Sequence, residues 1–185
     1  KLTALKKYEK RFSKNSEIKI SSSTIKKCIK SLSPNVKKAI DFSYSRISNF
    51  HSVQMKQIKN LKYKDKYKNK LEYKYVPIDS VGFYVPGNLP STLLMNTIPA
   101  RLAKVKRLVL ATPKINGQYN PAILYAAKKV GIKEIYSMGG AQAIASLAYI
   151  YKVNKIVGPG NKYVAEAKRQ LSGKIVGTET MFAGA

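Results

Sequence analysis

Cysteine, histidine and acidic residues are scarce in this chain. One cysteine and one histidine occur among 185 residues, and nine Asp and Glu stand against 35 Lys and Arg. The lone cysteine, Cys28, excludes an internal disulfide framework and a cysteine-based metal site, and fits a reduced, cytoplasmic setting. It lies in a lysine-rich helical pattern with no His or Asp beside it, so it reads as a packing residue. Long apolar runs are missing too. Residues 141–151 come nearest, but Gln142 and Ser146 interrupt them and they fall short of the ~20 apolar residues that span a bilayer. Lys1-Leu2-Thr3 opens no signal-peptide core, and no membrane partner is expected. No Walker motif, zinc-binding spacing or Gly-x-Ser-x-Gly elbow occurs.

Acid is scarce unevenly. Residues 1–75 hold 21 Lys and Arg against five Asp and Glu, and residues 76–185 hold 14 against four, for a formal net charge of +26. Such basicity raises nucleic-acid binding as a function class. The lysines scatter around helical faces without forming one stripe, which favours an ordinary solvated surface. Nucleic acid is therefore not the expected partner. Residues 56–74 interleave Lys and Tyr, as in Tyr63-Lys64-Asp65-Lys66-Tyr67. That stretch reads as an exposed strand pair or a loop. Its tyrosines could stack single-stranded bases, but a solvated connector is preferred.

What is present is a rhythm of strands and helices. Leu2, Leu5, Tyr8 and Phe12 mark a helix over residues 1–12. Ser21–Thr24 supply N-cap candidates for a second helix through about Ser31. Ser33-Pro34 opens a third, with Val36, Ile40, Tyr44, Ile47 and Phe50 at helical spacing. From Val76 the texture changes. Strands are expected over 79–85, 107–111, 134–137 and 155–157, and helices over 91–105, 121–130, 141–149 and 161–171. The alternation implies βαβ units and a parallel sheet. The expected fold is α/β, a Rossmann-like parallel sheet with helices on both faces. An N-terminal helical region with a basic connector (1–75) precedes the α/β domain (76–185).

Two glycine turns punctuate this rhythm. Gly139-Gly140-Ala141-Gln142 and Gly158-Pro159-Gly160-Asn161 each follow a β-branched run and open a helix, where α/β sheets bind ligands. The usual dinucleotide fingerprint is absent. Tyr163 stands in place of its third glycine, and no acidic residue is expected in the ribose-binding position.

The residues themselves carry a resemblance. Val81-Gly82-Phe83-Tyr84-Val85-Pro86-Gly87, Pro90-Ser91-Thr92-Leu93-Leu94-Met95, Gly139–Ala145, and Gly158–Asn161 with Glu166-Ala167-Lys168-Arg169-Gln170 closely resemble histidinol dehydrogenase. Their order and local spacing match as well. Ala4–Tyr8 and Phe50-His51-Ser52-Val53-Gln54 look like the family's N-terminal helical region. The resemblance implies an enzyme of histidine biosynthesis that oxidises L-histidinol to L-histidine through histidinal. It implies two NAD+ consumed, one zinc ion per site, and a homodimer sharing residues across its active sites. The family's NAD-contacting Tyr, Gln and Asn match Tyr84, Gln142 and Asn161. Helix-start amides at Gln142 and Asn161 suit ribose or diphosphate, with backbone N–H groups meeting the anion; Tyr84 offers a ring face and a hydroxyl. Taken without the family, these residues read as a turn-stabilising amide, an N-cap and a core aromatic.

This chain departs from the family in three places. The loop after Gly87 is short, running Asn88-Leu89-Pro90 into Ser91, and Tyr149–Lys152 trims a second connection. Phe182-Ala183-Gly184-Ala185 matches the start of a segment that, in the family, continues to substrate contacts. The catalytic Glu-His pair and the zinc ligands lie beyond Ala185 in the family, so no catalytic or metal residue is assigned here. His51 matches a helical-region position, not a ligand. The expectation is a fragment carrying the cofactor side, inactive by itself. The alternatives are a non-catalytic remnant of the enzyme and a basic nucleic-acid-binding protein.

Overall fold

Serine side chains start two of the three N-terminal helices. The computed structural model describes residues 1–179, so the Phe182–Ala185 match lies outside the described residues. Helices α1 (Leu2–Ser13), α2 (Ser22–Lys30) and α3 (Pro34–Gln57) come first. Ser21 Oγ accepts from the Thr24 amide at 3.1 Å, and Ser33 Oγ accepts from the Val36 amide at 3.4 Å, satisfying amides that have no partner within the helix.

Residues 61–73 form a hairpin, which settles the strand-or-loop question. Strand β1 (Leu61–Lys64) pairs antiparallel with β2 (Lys70–Tyr73). Asp65 builds the turn, its Oδ1 accepting from the Tyr67 and Asn69 amides, both at 2.8 Å. Every residue of both strands is exposed, so the pattern gave periodicity no buried face to report.

A five-stranded parallel sheet comes next, made of β3 (Ser80–Tyr84), β4 (Arg107–Ala111), β5 (Glu134–Tyr136), β6 (Lys155–Val157) and β7 (Gly177–Thr178). The order is β5-β4-β3-β6-β7. The intervening helices are α4 (Pro90–Leu102), α5 (Pro121–Val130), α6 (Gly140–Tyr149) and α7 (Lys162–Leu171). Observed boundaries differ from the expected ones by a residue or two, except in the 91–105 helix. That helix closes at Leu102, because Lys104 turns left-handed at φ 63° and the Val105 amide reaches back to Ala100 O. Strand β7 was not anticipated; two residues carry no readable period.

Strand alternation sorts the core into two layers. Val81, Phe83, Leu108, Leu110 and Ile135 point to one face, under α2, α3, α4 and α5. Tyr84, Val109, Ala111, Tyr136 and Ile156 point to the other, under α1, α6 and α7. Both faces of the sheet are covered, as an all-parallel sheet requires. The N-terminal helices divide between the layers. Helix α1 is set in place by residues 14–20: Lys14 turns left-handed at φ 48°, and Asn15 Nδ2 donates to Ser137 O at 2.8 Å. The Ser137 amide donates to Ile18 O at 2.6 Å and the Ile20 amide to Ile135 O at 3.0 Å. Residues 15–20 are thereby stitched beside β5, and α1 lies against α6.

Candidate functional site

The sheet reverses direction of travel at its centre. After β3 the chain passes to α4 on one face; after β6 it passes to α7 on the other. Neighbouring strands whose connections diverge in this way leave a crevice outside their carboxyl ends. Tyr84 ends β3 on one side of that crevice. The Gly158 turn follows β6 on the other, and the Gly139 turn follows β5. Both glycines of Gly158-Pro159-Gly160 are required. Gly158 has φ +117° and a Cβ there would lie 1.9 Å from Tyr84 O, while a Cβ on Gly160 would lie 2.2 Å from Val164 Cγ1.

The first turn is held by a residue from the opposite end of the chain. Glu9 of α1 is 1% exposed, and its Oε1 accepts from the Gly139 amide at 3.0 Å and from Gln142 Nε2 at 3.0 Å. The next amide, that of Gly140, donates to the Tyr84 hydroxyl at 3.2 Å. A carboxylate at a helix N-terminus is stabilised by the unpaired amides and the positive end of the dipole. Glu9 Oε2 is buried and, among the described residues, has no partner. Burial, opposed by the Gly140 hydrogen bond and reinforced by the Glu9 charge, raises the Tyr84 hydroxyl above the ordinary tyrosine value, so it stays protonated at neutral pH.

The second turn holds a carboxylate too, but one with a cation. Glu179 Oε1 accepts from the Gly158 amide at 2.9 Å and from Lys168 Nζ at 2.5 Å; Lys168 Nζ also donates to Gly158 O. Lys168 and Glu179 side chains are 6% and 17% exposed. The expectation that no acid stands in the ribose-binding position needs correcting. Glu179 directly follows β7, the strand beside β6, which is where the dinucleotide fingerprint places its acid. Its carboxylate turns inward to the loop and to Lys168.

Tyr84 and Gln142 therefore meet at the first turn, and Asn161 stands on the second. The structural roles weighed for each are real. Asn161 caps α7, its Oδ1 accepting from the Tyr163 and Val164 amides at 3.1 and 3.2 Å. Tyr84 is buried in the second core layer, so its ring face is not open to a ligand, and its hydroxyl is bonded to the Gly140 amide. Yet each structural bond also orients the remaining group. With Oδ1 on the helix, Asn161 keeps Nδ2 as a donor; with Nε2 on Glu9, Gln142 keeps Oε1 as an acceptor. Backbone amides meeting an anion at the Gly139 turn is the part of the reading that changes, since Glu9 and Tyr84 already take them. Gln142 also borders an open groove of about 670 Å3 between α1 and α6, with Leu5, Tyr8 and Phe12 along its far side.

The amides and hydroxyl of this crevice fit the hydroxyls and carboxamide of a dinucleotide. Zinc finds no such fit: no group of three or more His, Cys, Asp or Glu able to hold a metal is assembled among the described residues. His51 hydrogen-bonds Gln54 one turn along α3 at 2.5 Å. Cys28 packs on the first core layer, its Sγ donating to Tyr119 O at 3.5 Å, and burial pushes its thiol up. No helix among the described residues is long and apolar enough to cross a membrane. Glu9 and Glu179 escaped the sequence reading. Glu9 had left one signal: it lies four residues after Leu5, on the inward face of α1.

The histidinol dehydrogenase family model matches residues 1–185. Histidinol dehydrogenase of Pelagibacter ubique is 58% identical over 98% of this chain and 43% of its own length. Histidinol dehydrogenase 1 of Trichormus variabilis is 49% identical over 77% of this chain and 34% of its own. The crystal structure of histidinol dehydrogenase from Elizabethkingia anophelis superposes with a TM-score of 0.90 at 38% identity, covering 98% of this chain and 44% of that one. The chain spans less than half the length of these relatives.

Proposed function

The chain belongs to the histidinol dehydrogenase family, and on that premise we propose that it forms the cofactor side of an enzyme oxidising L-histidinol to L-histidine through histidinal. The observation carrying this reading is the convergence of Tyr84 and Gln142 on one turn, beside the Asn161 turn, at the point where the sheet's connections diverge. NAD+ would supply the hydride acceptor, two being consumed for each histidinol. The chain's own groups would bind and orient it: the Tyr84 hydroxyl and Asn161 Nδ2 as donors, Gln142 Oε1 as an acceptor. The glycine turns would let backbone approach the ligand closely.

The remaining chemistry would rest on residues that relatives of this family carry outside the stretch matched here. Removing a proton from the substrate hydroxyl needs a titratable group within hydrogen-bond reach. The family's Glu-His pair and zinc ligands come after the segment that Phe182–Ala185 begins to match. Zinc, a homodimer and a cytoplasmic location are part of the proposal on the same family ground. Residues 1–75 would serve as the helical region and 76–185 as the cofactor-binding domain. The test is a titration of NAD+ against these 185 residues, together with an assay for NADH. Measurable NAD+ binding, weakened by substitution of Gln142 or Asn161, is expected, with no histidinol-dependent NADH from these residues alone. Absence of binding would sink the cofactor assignment, and NADH formation would sink the division of labour.

A further inference from the structure

Glu9 is not among the proposed cofactor contacts, yet it is one of the largest fully buried side chains and carries a formal charge. Nothing cationic is bonded to it among the described residues. A buried carboxylate with only amide partners is costly unless the surrounding dipoles are fixed upon it. Here they are. One oxygen collects the Gly139 amide and the Gln142 carboxamide, and the charge faces the start of α6.

A free glutamine amide can present either end to a ligand, and rotating it exchanges an acceptor for two donors. Glu9 removes that freedom. A carboxylate only accepts, so Nε2 must face it, and Oε1 is left on the side of Gly140, 3.0 Å from where a Cβ there would stand. Residues 15–20, stitched to the end of β5, keep α1 in the place this requires.

We propose that Glu9 is a positioning residue for cofactor binding, acting through Gln142 by fixing its carboxamide with the oxygen turned to the ligand. This rests on the assignment of Gln142 to NAD+. It makes the N-terminal helix part of the cofactor site, although Glu9 touches no ligand itself. Glu9 also fills the anion position at the start of α6, so the cofactor's diphosphate is anchored elsewhere.

The test is calorimetric titration of NAD+ into the protein as its gene encodes it, comparing wild type with Q142A, E9A, the double variant and E9Q. Q142A and E9A should each weaken binding by about tenfold, the worth of one well-aligned hydrogen bond. The double variant should bind no more weakly than Q142A. E9Q retains an oxygen facing Gly139 and Gln142 and should stay within about threefold of wild type. Multiplying losses in the double variant would overturn the proposal, because Glu9 would then act apart from Gln142. Tighter binding by E9Q would overturn it as well, showing that the carboxylate repels the cofactor's diphosphate. If Q142A binds like wild type, the Gln142 contact fails and the inference fails with it. If Q142A is weakened and E9A is not, only the positioning role falls. Should E9A not fold, E9D carries the same test, keeping the charge while shortening the reach by one methylene.

Discussion

The two glycine turns at the crevice solve one problem in different ways. Each has an amide that could meet an external anion, and each gives it to an internal carboxylate. At the Gly139 turn the acid comes from 130 residues away and, among the described residues, is balanced by amides and the α6 dipole alone. At the Gly158 turn it comes from 21 residues on and is balanced by a buried lysine. The first arrangement ties a distant helix to the site but leaves a charge compensated only by partial charges. The second is local and neutral as a pair, and it braces the Gly158 carbonyl as well as its amide. Ion pairing and dipole alignment can thus be separated by substitution within one molecule.

The largest effect should come from Lys168. K168A leaves Glu179 largely buried without its cation and takes away the Gly158 carbonyl's donor. Breaking a buried pair from one side costs about 3–5 kcal/mol. Chemical denaturation should show that loss, and E179Q in the same background should restore part of it by removing the stranded charge. If K168A were neutral, the second turn would have to be balanced by dipoles like the first, and the contrast would disappear.

A smaller loss is expected at the other turn. E9A removes an acceptor and a charge together, so no cation is stranded; the Gly139 amide and Gln142 Nε2 lose their partner. Leaving such donors unmet costs about 1–3 kcal/mol, toward the upper end of what a helix cap contributes. E9A should therefore lower the denaturation midpoint less than K168A does. A larger drop for E9A would mean that α1 is held mainly through this one contact and not through Asn15 and residues 18–20.

This contrast also explains what could be read in advance. The alternation from Ser80 onward was legible because each strand and helix buries a face, and burial writes its period into Val81, Phe83, Leu108, Leu110 and their neighbours. Tyr84, Gln142 and Asn161 were singled out through resemblance, and the Asn161 cap was legible through local chemistry. The hairpin was not, since neither strand buries a residue and alternation has nothing to alternate about. Glu9 was hidden for another reason. Its partners are set by how residues 15–20 dock on β5, a tertiary fact that no window around a lysine-rich helix contains. Glu179 lies at a position the dinucleotide pattern names, but the two-residue strand that puts it there is too short to be seen.

Alkaline pH, combined with one substitution, gives the finest probe of the first turn, because the Tyr84 phenol is bonded within it. The Tyr84 hydroxyl accepts from the Gly140 amide and is held above the ordinary value of 10.0, first by burial and then by the charge of Glu9, against the pull of the Gly140 bond. A group bound to its proton more tightly in the folded state lends stability that is complete below its unfolded value and drains away as pH rises through the folded one. Stability should accordingly hold up to about pH 10 and decline above it, reaching further as Tyr119 and Tyr151, both pushed up to about 12, begin to ionise. Y84F keeps the ring and loses the acceptor. It should cost about 1 kcal/mol at neutral pH, the typical worth of a hydrogen bond, and flatten the first part of the alkaline decline. Denaturation of wild type and Y84F at matched pH, with tyrosinate absorbance followed in parallel, isolates this one hydroxyl from the other raised tyrosines. An unchanged slope would show that the Tyr84 proton contributes nothing to the stability of the fold.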